Sequence, residues 1–244
     1  MTRGIAGLAA NHLGAEGMQC FADASNVWPP SLTRVDLSSN HIQNAGLEVL
    51  AASLRASSCP IRELILSSNA IGGHGIAALA QALGPKSKLS HLDMSENNIQ
   101  AGSEFAQLVQ AISASPHLKE LRLGGNRVGQ SVFTTQPSLL SHSTLTSLDL
   151  SCNGICSKAV DAFAKLLCET QISTLNVRGN DLLSDSLQPL FEALQSNSSL
   201  TILDLDYSCG SSRELPATFA LTRLQSGKGS KRLAGWNRLQ RISL

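Results

Sequence analysis

The sequence predicts an α/β solenoid: a horseshoe with a parallel sheet on its concave face and helices on its convex face. Three observations carry this. One eleven-residue phrase recurs along the chain, its starts stepping by 29, 28, 29, 27, 27 and 28 residues. The first half of each unit alternates apolar and polar residues, the period of a strand. The second half spaces apolar residues by four, the period of a helix face.

The phrase reads LTRVDLSSNHI at 32–42, IRELILSSNAI at 61–71, LSHLDMSENNI at 89–99 and LKELRLGGNRV at 118–128. It continues as LTSLDLSCNGI at 145–155, ISTLNVRGNDL at 172–182 and a decaying LTILDLDYSCG from 200. A degraded eighth copy opens the chain, because Ala6, Leu8, Asn11 and Leu13 precede Val35, Leu37, Asn40 and Ile42 by 29 residues. Strands stacked about 4.8 Å apart then form a parallel sheet whose apolar positions share one core with the coils on either side.

An asparagine recurs at 11, 40, 69, 97, 126, 153 and 180. Inside a turn, backbone N–H and C=O groups would be buried unpaired, at about 1–3 kcal/mol each, and an amide side chain both donates and accepts. These asparagines are therefore expected to be structural. In the second half of each unit Gly46, Leu50 and Leu54 recur as Gly75, Leu79 and Leu83, as Ala159, Phe163 and Leu167, and as Ser186, Leu190 and Leu194. The fourth repeat departs from this: residues 131–143 (SVFTTQPSLLSHS) bring β-branched residues and Pro137, so a short or broken helix is expected there.

Composition narrows the function. The chain has 244 residues, 42% hydrophobic and 15% charged, which is too apolar for disorder. Nineteen basic against eighteen acidic residues leave a formal net charge of +1, so no global field drives it toward nucleic acid or an anionic membrane. Only 4% is aromatic, which implies a core of Leu, Ile, Val and Ala. No stretch approaches the roughly 20 apolar residues of a membrane span, and Asn11 and His12 interrupt any signal sequence. A soluble, cytoplasmic protein is expected. The six cysteines are scattered and are expected to be reduced, and the Asn197-Ser198-Ser199 sequon is expected to be incidental.

The 27–29-residue period, with LxxLxLxxNxL followed by a Gly-xxx-Leu-xxx-Leu helix, resembles the ribonuclease-inhibitor class of leucine-rich repeats over roughly residues 3–210. The resemblance implies a leucine-rich repeat solenoid that grips another protein. The expected organisation is an array of about eight units over residues 1–210, the first degenerate, then an atypical segment over 211–244. That segment is a candidate cap or the start of a further repeat, because Ser208 and Gly210 stand where Asn and Leu belong and residues 239–244 (LQRISL) repeat the strand half. Solenoids normally seal their sheet edges. The chain is therefore expected to be a piece of a longer protein, or to have its ends sealed by another chain or by unrecognised residues of its own.

On a curved sheet the residues between the Leu positions line the concave face. One column reads Asp36, Ile65, Asp93, Arg122, Asp149, Asn176 and Asp204. Ser38, Ser67, Ser95, Gly124, Ser151, Arg178 and Asp206 run beside it, and Arg34, Glu63, His91, Glu120, Ser147, Thr174 and Ile202 run on the other flank. The candidate protein-binding residues are Arg34, Asp36, Arg62, His91, Asp93, Lys119, Arg122, Asp149, Asn176, Arg178, Asp204 and Tyr207. Tyr207, Arg122, Arg178 and Arg62 are the best anchors, because interface energy concentrates in Tyr, Trp and Arg. Lys119, Arg122, Arg127 and Arg178 suggest a basic patch flanked by acid.

Catalysis has no motif to rest on: P-loop, HExxH and GxSxG are all missing from the sequence, and no cofactor or metal is expected. His12 and His41 share a column and are expected to stack as exposed turn residues. A scaffold or sensor binding a protein on the concave face is the leading function, with the irregular fourth repeat as a secondary contact. A GTPase-activating regulator similar to Ran GTPase-activating protein and a structural part of a cytoskeletal or ciliary assembly are the alternatives.

Overall fold

The structure, a computed structural model, describes residues 4–56, 59–129, 144–182, 187–206 and 241–243. Among them nine short strands form one sheet: β1 (Gly4–Gly7), β2 (Leu32–Asp36), β3 (Glu63–Ile65), β4 (His91–Asp93), β5 (Glu120–Arg122), β6 (Ser147–Asp149), β7 (Thr174–Asn176), β8 (Ile202–Asp204) and β9 (Arg241–Ser243). Order in the sheet is order in the chain, and every neighbouring pair is parallel. The described helices are α1 (Gly14–Asp23), α2 (Gln43–Leu54), α3 (Gly73–Ala82), α4 (Ser103–Ser113), α5 (Val160–Glu169) and α6 (Gln188–Ser196). The fold is thus the α/β leucine-rich repeat solenoid that the periodicities predict. The expected broken helix at 131–143 lies outside the described residues, as does Ser186. No helix among the described residues is long and apolar enough to cross a membrane.

The register stacks identical positions. Val35, Leu64, Leu92, Leu121, Leu148, Leu175 and Leu203 face one another across successive strands and are buried. One continuous core results, built mostly of aliphatic residues, with Phe105 and Phe163 its fully buried aromatic rings. Each helix lays its four-spaced stripe on this core: Leu47, Leu50 and Leu54 from α2, Ile76 and Leu79 from α3, Phe163 and Leu167 from α5. A small residue in the stripe lets neighbouring helices approach, since a Cβ at Gly46 would stand 3.1 Å from the Met18 side chain and 3.3 Å from the Ala15 backbone of α1.

The asparagine column is a ladder. Asn69 Oδ1 accepts the backbone N–H groups of Asn40 and Ile42 in the preceding repeat, at 2.9 and 3.2 Å. Its Nδ2 donates to the Leu37 and Leu66 carbonyls at 2.9 and 3.0 Å. Asn97 and Asn180 repeat the pattern. The turn around each asparagine is tight enough to put non-glycine residues at positive φ, such as Ser39 at 54° and His41 at 55°. That conformation costs roughly 1–2 kcal/mol per residue, and the buried amide bonds offset it. His12 and His41, at the same turn position, stack with ring centroids 4.9 Å apart and planes 12° apart.

A second ladder, absent from the motif, runs where the chain enters each strand. Ser90, Thr146, Ser173 and Thr201 donate their hydroxyls to the carbonyls of Arg62, Lys119, Thr146 and Ser173 in the preceding repeats, at 3.0–3.2 Å. A third inter-repeat contact caps a helix from outside. Asn44 Oδ1, at the start of α2, accepts the Gly72 and Gly75 N–H groups at the start of α3, at 2.7 and 3.3 Å.

Candidate protein-binding surface

Strand register brings the concave columns together as the alternation predicts. Asp36, Ile65, Asp93, Arg122, Asp149, Asn176 and Asp204 stand opposite one another in turn, and so do Arg34, Glu63, His91, Glu120, Ser147, Thr174 and Ile202.

The acidic column has a structural duty. Asp36 Oδ1 accepts the backbone N–H of Ser38 at 3.1 Å and its hydroxyl at 2.7 Å. Asp93, Asp149 and Asp204 accept from the N–H groups of Ser95, Ser151 and Asp206 at 2.9, 2.9 and 3.1 Å. Asn176 does the same for Arg178 at 3.1 Å. Each bond ends its strand in an Asx turn, which any Asp or Asn can form. One side-chain oxygen of each is therefore committed to the fold.

Two positions break the rule. Ile65 and Arg122 occupy the same column and cannot form an Asx turn. Around them lies a concave hollow of about 310 Å³, lined by Arg34, Glu63, Ile65, His91, Asp93, Glu120 and Arg122 from β2 to β5. Its charges are paired, three times across neighbouring strands and once, Arg122 with Glu120, along β5. Arg34 Nη1 stands 3.0 Å from Glu63 Oε2. Arg122 reaches Glu120 at 2.5 Å and Asp93 at 3.8 Å, and His91 Nε2 lies 3.6 Å from Glu120 Oε2. His91 Nδ1 also meets the Ser90 hydroxyl at 2.8 Å. Small residues, Ser67, Ser95 and Gly124, follow on the exit side of these strands.

This arrangement takes Arg122 out of the expected basic patch. Arg122 is held between two carboxylates, so the middle of the face alternates in sign instead of being positive. The reason is strand geometry, which places Glu120 on the same face two residues before Arg122 and Asp93 opposite it on the neighbouring strand, where cross-strand pairs form. Of the other candidate residues, Arg34, His91 and Asp93 line the hollow, while Asp36 adjoins it through Ile65. Arg62 and Lys119 are exposed one residue before β3 and β5, at the rim. Asp149 adjoins the hollow through Arg122, whereas Asn176, Arg178 and Asp204 belong to later repeats away from it, and Tyr207 falls outside the described residues. The list missed Glu63, Ile65 and Glu120. All three stand in the concave columns, and Ile65 is signalled by its departure from the Asp consensus of its column.

Among the described residues no three His, Cys, Asp or Glu side chains converge as a metal site. The described cysteines, Cys20, Cys59, Cys152, Cys156 and Cys168, are free thiols. Asn197 of the sequon donates Nδ2 to the Leu167 carbonyl at 2.6 Å and accepts from the Ser199 and Leu200 N–H groups, so its amide serves the turn.

Comparison with known proteins adds the following. A family model described as leucine rich repeat matches residues 29–51, 57–80, 114–131 and 141–164. No curated protein matches the sequence. Among solved structures, Leiomodin-1 Actin-Binding Site 2 (ABS2) is similar at 19% identity and a TM-score of 0.46, over 70% of this chain and 84% of that one.

Proposed function

Because the chain is a leucine-rich repeat protein, we propose that it is a protein-interaction scaffold whose partner seats in the concave hollow over β2 to β5. The observation that carries this is the break in the Asx column. Where the column serves the fold alone, it is Asp or Asn. At Ile65 and Arg122 the turn-forming group is given up, and the two replacements frame the hollow.

An apolar residue surrounded by polar and charged side chains is the arrangement in which interface energy concentrates, because the surrounding groups exclude water from the central contact. Ile65 has that position, with Glu63, Asp93 and Arg122 around it. The walls come from a single sheet face. That suits one or two side chains of a protein better than the enclosed cleft, of roughly 300–1,000 Å³, that buries a small molecule.

The test uses substitutions that restore the column consensus and so spare the fold. Ile65→Asn and Arg122→Asn each introduce the residue found at Asn176, and Asp204→Asn, far along the same column, is the control. Captured from native lysate, a partner of the wild-type chain should be retained by Asp204→Asn and lost by Ile65→Asn and Arg122→Asn, with all three folded by circular dichroism. Equal capture by all four proteins would remove the hollow as the site.

A further inference from the structure

The loops entering β3, β4 and β5 read RASSCPIR (55–62), GPKSKLS (84–90) and ASPHLK (114–119). They hold Arg55, Arg62, Lys86, Lys88, His117 and Lys119, and no Asp or Glu, in a chain whose net charge is only +1. Nothing in the concave site described above uses them, apart from the position of Arg62 and Lys119 at its edge.

The loops stack into one rim. The Ser90 N–H donates to the Arg62 carbonyl at 2.7 Å, and the Lys119 N–H to the Ser90 carbonyl at 2.8 Å. The Gly84 N–H donates to Ser115 Oγ at 3.0 Å. Lys86 and Lys88 share a crevice with Ala56 and Cys59 of the loop before. All six basic side chains are exposed. Among the described residues none of Arg62, Lys86 and Lys119 has an acidic partner, and Arg55 bonds the neutral Gln81 at 3.2 Å. The acidic groups of the floor are spent on other cations: Glu63 on Arg34, Glu120 on Arg122 and His91.

We propose that this rim docks an acidic segment of the same protein partner that fills the hollow, a proposal that rests on the hollow being a partner site. Positive loops spaced one strand apart, about 4.8 Å, lie within a Debye length of about 8 Å at physiological salt. Their fields therefore add over a short acidic stretch and raise its rate of encounter.

A protein segment fits better than a nucleic acid. The floor beyond the rim alternates in sign, Glu63 paired with Arg34 and Glu120 with Arg122, so it offers no continuous positive track for a uniformly charged phosphate backbone. A polypeptide can be acidic at the rim and apolar or basic over Ile65, Asp36 and Asp93. The three loops also carry no Phe, Tyr or Trp on which bases could stack.

The experiment is fluorescence anisotropy on the full chain with two labelled probes, a glutamate-rich peptide and an oligothymidylate of matched length, at low and physiological salt. The rim variant is Arg62→Glu with Lys119→Glu. The control, Lys158→Glu with Lys165→Glu, makes the same charge change at and in α5. The peptide should bind wild type and the control alike, weaken as salt rises, and lose about tenfold or more affinity in the rim variant. No peptide binding, an equal loss in the control, or oligothymidylate binding as tight as the peptide would each overturn the proposal. Failure of the hollow itself shows elsewhere, as unchanged partner capture by Ile65→Asn, so the two outcomes are separable.

Discussion

Glu96 of one repeat lies across Gly125 of the next. A Cβ at position 125 would overlap both carboxylate oxygens of Glu96. Both residues hold positive φ, 54° and 67°, at the position before the ladder asparagine. Cys152 covers Gly179 in the same way, one large side chain over the glycine that follows it.

Gly125→Ala should therefore destabilise the chain by more than Gly154→Ala. Gly154 also has positive φ, at 65°, but a Cβ there meets nothing within 4 Å. The backbone cost alone is roughly 1–2 kcal/mol, and Gly125→Ala adds displacement of Glu96. Denaturant melts of the two variants check the order. Glu96→Ala in the Gly125→Ala background should recover the steric part and leave the backbone part.

Asn69→Ala should be among the most damaging single changes. It orphans the Asn40 and Ile42 N–H groups and removes donors from the Leu37 and Leu66 carbonyls. At about 1–3 kcal/mol for each buried group left unpaired, a loss of several kcal/mol is expected. Asn11→Ala should cost much less, because Asn11 is exposed and its Nδ2 bonds only the Leu8 and Ala9 carbonyls. Equal midpoints for the two variants would show that the ladder carries little of the stability.

The concave ion pairs should contribute little to stability. Arg122 and Glu120 side chains are 54% and 24% exposed, and such pairs are worth about 0.2–1 kcal/mol. A double-mutant cycle on Arg122→Met and Glu120→Gln should give a coupling in that range that shrinks at high salt. A larger, salt-insensitive coupling would mean that the hollow is built for rigidity and not for exchange of partners.

Cys59 should be the slow thiol. Burial pushes its pKa up, partly offset by the Ile61 backbone bond and by Lys88. Because the folded value lies above the unfolded one, the thiol's contribution to stability is present below the unfolded pKa, about 8.5, and is lost as pH rises beyond it. Iodoacetamide should therefore label exposed Cys20 and Cys168 before Cys59. Cys59→Ser should flatten the alkaline fall in stability, and equal labelling rates would contradict the burial.

The repeat, the strand columns, the asparagine ladder and the His12 and His41 stack were legible in the sequence because each follows from period alone. Residues that recur at a fixed spacing land in one column whatever the detail of the loops. The basic rim was partly legible: Arg62 and Lys119 stood out, but their grouping with Lys86 and Lys88 depends on how loops of unequal length stack. The irregular 131–143 segment of the fourth repeat and Tyr207 lie outside the described residues, so the expectations attached to them gain nothing from the structure.

The sequence by itself determined the solenoid, its order of strands and the membership of each concave column, since hydrophobic period and turn chemistry are local and repeat. Only the tertiary structure decided what the column residues do. It committed one oxygen of Asp36, Asp93, Asp149 and Asp204 to their own turns and set Arg122 between Glu120 and Asp93. It also left Ile65 in the lining of the hollow, among charged side chains. Pairing across strands depends on side-chain reach and direction, which spacing along the chain does not encode.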